Sequence, residues 1–194
     1  MLNRLVIASA ALLVATVPAF AHLDPAAHGS FMAGFSHPPF GLDHILVMVA
    51  VGLWAATLGG QALVAVPAAF VGTMIVGFAA ALSGAPLPFV EPVILASIVF
   101  IGLMVALAVS LPVAGMMGIV AFFAFFHGHA HGSELGAAGA AQFAMGFALA
   151  TALLHIAGIG LGLAFGRGQR ESQVLTRLAG ATTALAGLWL AFAG

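Results

Sequence analysis

Cysteine is absent from this 194-residue chain, lysine is absent, and only 5% of its residues are charged. Without cysteine there is no disulfide framework, no thiolate nucleophile and no soft thiolate metal site. Any metal must be held by histidine, carboxylate or, weakly, methionine. The positive charges are Arg4, Arg167, Arg170 and Arg177, too few to form a patch that neutralises phosphates, so nucleic acid is excluded as a partner. A soluble domain carries roughly 25% charged residues. Here 63% of residues are hydrophobic and mean hydropathy is +1.24, the composition of an integral membrane protein.

What is present begins with a leader. Residues 1–21 carry Arg4, an apolar core from Leu5 to Val17, Pro18 and the small-x-small sequence Ala19-Phe20-Ala21, the pattern of a secretory signal peptide cleaved after Ala21. A retained first helix is the alternative, but about 16 apolar residues are short for a hydrocarbon core of about 30 Å. Cleavage would expose His22 as an N-terminal amine and imidazole able to chelate one ion.

Six apolar segments follow, at roughly 42–58, 62–83, 91–111, 113–132, 136–165 and 174–193. The breaks Gly59-Gly60-Gln61, Ser83 to Pro88 and Ser110-Leu111-Pro112 are rich in Gly and Pro, which end helices through backbone entropy and a missing N–H. Backbone groups in hydrocarbon must be satisfied within the segment, and uniform rather than alternating apolarity argues against a barrel. The expected fold is therefore all-α, with six transmembrane helices in a single domain, 22–194. Three arginines between segments five and six mark that loop as cytoplasmic. Counting back puts the mature N-terminus outside, as a cleaved leader also requires.

On that outer side lie two groups of metal-binding side chains. The first is His37, Asp43 and His44, at the start of segment one; Pro38-Pro39 should keep His37 and His44 off one regular helix, so a loop must fold His37 back over Asp43-His44. Asp43 has the competing role of a helix N-cap. The second is His127, His131 and Glu134 at the end of segment four, which share one helical face while His129 points away. Only the residues from Val113 to Phe126 precede that group without a polar break, about 21 Å of helix, so the histidines must sit within the membrane depth. Ionisable groups there are costly and by default mark a pathway.

Glu91 opens segment three on the same side and is a further candidate ligand, with favourable placement at a helix N-terminus as the alternative. His155, inside segment five, is either functional or a hydrogen-bonded core histidine. Met48 shares the His44 face, and packing suits its thioether better than ligation. Phe70, Phe78, Phe122, Phe123, Phe125 and Phe126 read as core or lipid-facing aromatics. Gly72, Gly77, Gly102 and the Ala/Gly series of segment five suit close helix packing.

His37-x5-Asp43-His44 and Phe126-His127-Gly128-x-Ala130-His131-Gly132-x-Glu134 together resemble the HupE/UreJ family of nickel and cobalt permeases, with both patterns intact and the resemblance spanning the whole chain. It implies a multi-pass protein of the bacterial inner membrane that passes Ni(II), sometimes Co(II), to hydrogenase or urease maturation. By motif, His37, Asp43, His44, His127, His131 and Glu134 carry over as metal ligands, and His129 falls on a variable position. Imidazole and carboxylate suit Ni(II), Co(II) and Zn(II). The metal would be cargo, with no permanent cofactor and no enzymatic activity; the bilayer is the other partner. The rivals are a membrane metalloenzyme built on His127-x3-His131 as half of a histidine box, and a metal-binding sensor. The first would need more ligands deep in the bundle and a cavity for an organic substrate, and the second a soluble domain. Because imidazole must be neutral to ligate, metal uptake should fall as pH drops through about 6.5, the unperturbed histidine value; initial uptake rates between pH 5 and 8 check this.

Overall fold

The computed structural model describes residues 30–165 and 170–193. These form α1 (Ser30–Phe40), α2 (Leu42–Leu58), α3 (Ala62–Leu82), α4 (Val90–Ala106), α5 (Val113–Ser133), α6 (Ala140–Phe165) and α7 (Arg170–Ala193). No strand occurs among the described residues. The leader expected at 1–21, and His22, lie outside them.

Four stretches are long and apolar enough to cross a membrane: α3, α5, α6 and Gln173–Phe192 within α7. A fifth is available if α1 and α2, which meet at a bend of 77°, count as one broken span. Each by itself is short; 17 residues of α2 make about 25 Å of helix. The chain is thus a multi-pass helical membrane protein. α4, also 17 residues, is shorter than the expected 91–111. It stops at Ala106 because Ala108 adopts a left-handed conformation, φ 52°, and the irregular stretch up to Pro112 is tied to α2 by a 2.9 Å hydrogen bond from Trp54 Nε1 to the Val109 carbonyl. Similarly, α6 begins at Ala140 rather than 136, after Gly136 turns the chain at φ 57°.

The helices are apolar nearly all round, so no amphipathic stripe selects their partners; glycine does. In the α3–α5 pair a Cβ on Gly128 would overlap the Met74 carbonyl, and one on Gly77 the Phe125 carbonyl. The same holds for Gly158 against Val49 and Gly52 against His155 between α2 and α6, and for Gly34 against Phe143 and Gly146 against Phe31 between α1 and α6. Gly102 and Gly180 bring α4 and α7 to backbone contact. These are small-residue crossings of the kind that let membrane helices approach without a hydrophobic driving force. Gly72 differs from the expectation for it, since a Cβ there would meet nothing within 4 Å.

Register follows from these contacts. Val49 faces Gly158 and Ala56 faces Gly162, so α2 and α6 run in the same direction. Met74 faces Gly128 and Ala81 faces Gly132, so α3 and α5 also run together. The C-terminal ends of α3 and α5 therefore meet at one end of the bundle. Trp54, Phe70, Phe147, Met48 and Met74 fill the interior, whereas Phe192, Val64 and Leu185 point outward, as a lipid-facing surface requires.

Candidate metal centre

The first histidine group is assembled by a broken helix rather than a folded-back loop. α1 continues through Pro38 and Pro39; proline supplies no N–H, so its last turn is weakened from within. The chain then breaks at Gly41, which is extended at φ −88°, ψ 115°, and α2 starts at once. A Cβ at Gly41 would lie 2.8 Å from Asp43 Oδ1 and 2.9 Å from His44 Nδ1. The missing side chain leaves room for both groups at the bend. Asp43 is not the cap of α2; Gly41 holds that position with no side-chain bond. The Asp43 carboxylate instead lies 2.8 Å from His44 Nδ1, in direct electrostatic contact with the ring.

The second group descends α5. Glu134, just beyond the helix end, reaches back to His37, with Oε2 3.1 Å from Nε2. His131 is fully buried, stacked on Phe147 of α6 with ring centroids 4.8 Å apart. One turn deeper, His127 is also fully buried; its Nδ1–H donates to the Phe123 carbonyl at 2.9 Å. A carbonyl can only accept, so this bond fixes the tautomer and leaves the Nε2 lone pair free. His129 faces away and donates from Nε2 to the Ala85 carbonyl at 2.8 Å.

The two groups meet. Ring centroids of His37 and His131 are 4.9 Å apart, His44 and His131 5.0 Å, and His44 and His127 5.5 Å. One ligand atom from each of His37, His44 and His131 lies within 4.8 Å of the other two, and the described residues hold no other such group of three or more. His44 Nε2, both ring nitrogens of His131 and His127 Nε2 are buried without a hydrogen-bond partner. Native interiors rarely leave polar atoms so, because each costs about 1–3 kcal/mol. A neutral imidazole has one N–H and one lone-pair nitrogen, so each ring can offer one ligand atom, and several such rings in one place form an arrangement suited to a divalent cation of the Ni(II), Co(II) or Zn(II) class. Asp43 and the half-exposed Glu134 add negative charge at its rim.

Two expected residues sit apart. Glu91 is exposed in the first turn of α4, where a carboxylate complements the helix dipole, and the three-histidine group does not include it. His155 is fully buried in α6, deeper than the group. Phe147 and Phe70, which wall the histidines, carry no sequence signal that distinguishes them from other core aromatics. Met48 is fully buried in the core.

The family model described as HupE / UreJ protein matches residues 10–190. Protein HupE of Rhizobium leguminosarum bv. viciae is 45% identical over 174 residues, which cover 88% of this chain and 90% of that protein. No solved structure matches the chain.

Proposed function

The chain belongs to the HupE/UreJ family, and on that premise we propose that it carries divalent nickel, and cobalt through the same ligands, across the bacterial inner membrane into the cytoplasm for hydrogenase or urease maturation. Membership supports a nickel- or cobalt-related accessory role rather than catalysis. The observation that carries the reading further is the convergence of His37, His44 and His131 from three helices at one buried point. The ligands are imidazoles, with carboxylates at the rim. Their number is enough to replace part of the ion's water shell, and their dispersion over three helices lets the ion leave again.

In this reading six crossings follow a cleaved leader. α1–α2 serves as the first, and the 17-residue α4 as a short third. Arg167 between α6 and α7, with Arg170 at the head of α7 and Arg177 about two turns further along it, keeps that end of the bundle on the cytoplasmic side. The histidine group then faces the outside. Glu134 attracts the ion, His37 takes it from the rim, and His131 and His44 draw it inward as water is lost.

Uptake of radiolabelled Ni(II) by cells, with membrane levels of each variant measured in parallel, tests this. His37→Ala, Asp43→Ala and Glu134→Ala should each lower uptake by about tenfold or more. His129→Ala, outside the group and bonded to Ala85, should leave it near wild type. Unchanged uptake in the first three would sink the reading.

A further inference from the structure

Among the described residues His155 is the fully buried histidine that the metal centre does not use; His129, the other buried histidine outside the centre, is bonded to Ala85. His155 is 0% exposed, and neither Nδ1 nor Nε2 has a hydrogen-bond partner. A core histidine kept for packing would normally bond at least one nitrogen. Its ring lies edge-on to Phe70, centroids 5.0 Å apart, and Phe70 also touches His127 at 5.6 Å. His127 in turn has its Nε2 lone pair free by the tautomer fixed at Phe123. The imidazoles therefore do not stop at the metal centre. They continue inward as His131, His44, His127 and, past Phe70, His155.

Depth along α6 makes the placement specific. Phe147 stacks on His131 and so marks the level of the metal centre. His155 is eight residues further, about 12 Å along the helix. Gly162, another seven residues or about 10 Å on, lines a cavity of about 240 Å³ at the opposite end of the bundle, together with Thr57, Leu58, Ala108 and Arg177. The stretch between centre and cavity is walled by Trp54, Phe70, Met48 and Met74. An unliganded divalent ion cannot cross some 20 Å of such surroundings, because the loss of solvation in low dielectric is prohibitive. His155 stands midway. Its nearest polar companion on the same face is Thr151, one turn earlier, whose Oγ1 lies 3.8 Å from Met74 Sδ.

We propose that His155 is a second, deeper metal-binding station, which receives a divalent cation of the nickel and cobalt class from His127 past Phe70 and hands it toward the cavity at the far end. This rests on the transport reading above. It divides the work: the outer centre sets how tightly the ion is captured, and His155 sets how fast it crosses.

The division is measurable with the full-length protein in liposomes, using radiolabelled Ni(II) as probe. His155→Leu and His155→Gln should lower the maximal uptake rate by about tenfold or more, as loss of a ligand does, with the half-saturating Ni(II) concentration near wild type. His37→Ala should instead raise the half-saturating concentration. His155→Cys, whose thiol is the sole one in the chain, restores a ligand and should recover part of the rate that His155→Leu loses. If His155→Leu does not reach the membrane, Gln and Cys carry the comparison. A wild-type rate in His155→Leu or His155→Gln would overturn the station and leave the outer centre standing. Equal loss in Gln and Cys, accompanied by a raised half-saturating concentration, would mean a structural role and overturn it too. Absence of uptake by the wild-type liposomes would sink the transport reading itself, a separate result.

Discussion

Replacing His131 with leucine is expected to abolish nickel uptake, by about 100-fold or more, while the folded protein becomes no less stable. The two halves of that result rarely go together. Even outer-shell partners of metal ligands commonly cost 10- to about 100-fold when removed, and His131 lies at the heart of the group, within 4.8 Å of ligand atoms from His37 and His44. Yet both its nitrogens are buried without partners. Leucine fills a similar volume against Phe147 and removes the desolvation cost of two polar atoms, about 1–3 kcal/mol for each unsatisfied group. Thermal unfolding of the purified variant should occur at or above the wild-type temperature in the absence of metal. Added Ni(II) should raise that temperature for wild type and leave the variant unmoved, since a ligand stabilises only the state that binds it. Retention of more than a tenth of wild-type uptake at normal membrane levels would show that His131 is packing and not a ligand.

The second large effect lies one residue from a ligand but acts on the scaffold. Gly128→Val should destabilise the bundle by about 3 kcal/mol or more, at the upper end of what overpacking costs, and lower the unfolding temperature on the order of 10 °C. A Cβ at 128 would overlap the Met74 carbonyl, a backbone atom of α3 that no rotamer change can move aside. α3 and α5 must separate, and with them His127 from Phe70. Gly118→Ala on the same helix is the internal comparison. Nothing lies within 4 Å of a Cβ there, so the change should be neutral or slightly stabilising through helix propensity. Equal stability of the two variants in detergent would mean that the α3–α5 contact is not as close as described.

How far the sequence reached is clearest at the two histidine groups. His127, His131 and Glu134 could be put on one helical face from spacing alone, and His129 set apart from them; His129 does face Ala85 instead. That His37 and His44 do not share one regular helix, and so need a change of chain direction to meet, is legible from Pro38-Pro39. How they meet is not, because proline in the last turn of a helix is compatible with the helix continuing, and α1 carries both prolines before breaking at Gly41. Gly72 and Gly77, five residues apart in α3, looked alike as packing glycines. Only Gly77 is at a crossing. Their difference is invisible in a segment whose residues are apolar on every side, since lipid and protein interior select the same side chains.

By itself the sequence determined the class of the molecule and its chemistry. A chain with so little charge and such uniform apolarity satisfies its backbone in a bilayer as helices, and without cysteine its strong metal ligands are imidazole and carboxylate. The tertiary structure decided which ligands share a point in space. Glu91, a candidate by position, lies exposed at the head of α4, while His155, ambiguous in the sequence, lies buried with both nitrogens unpartnered, in line with the centre. The reason is that glycine crossings set helix register to within a turn, and a turn is the distance between a histidine that reaches the metal and one that does not.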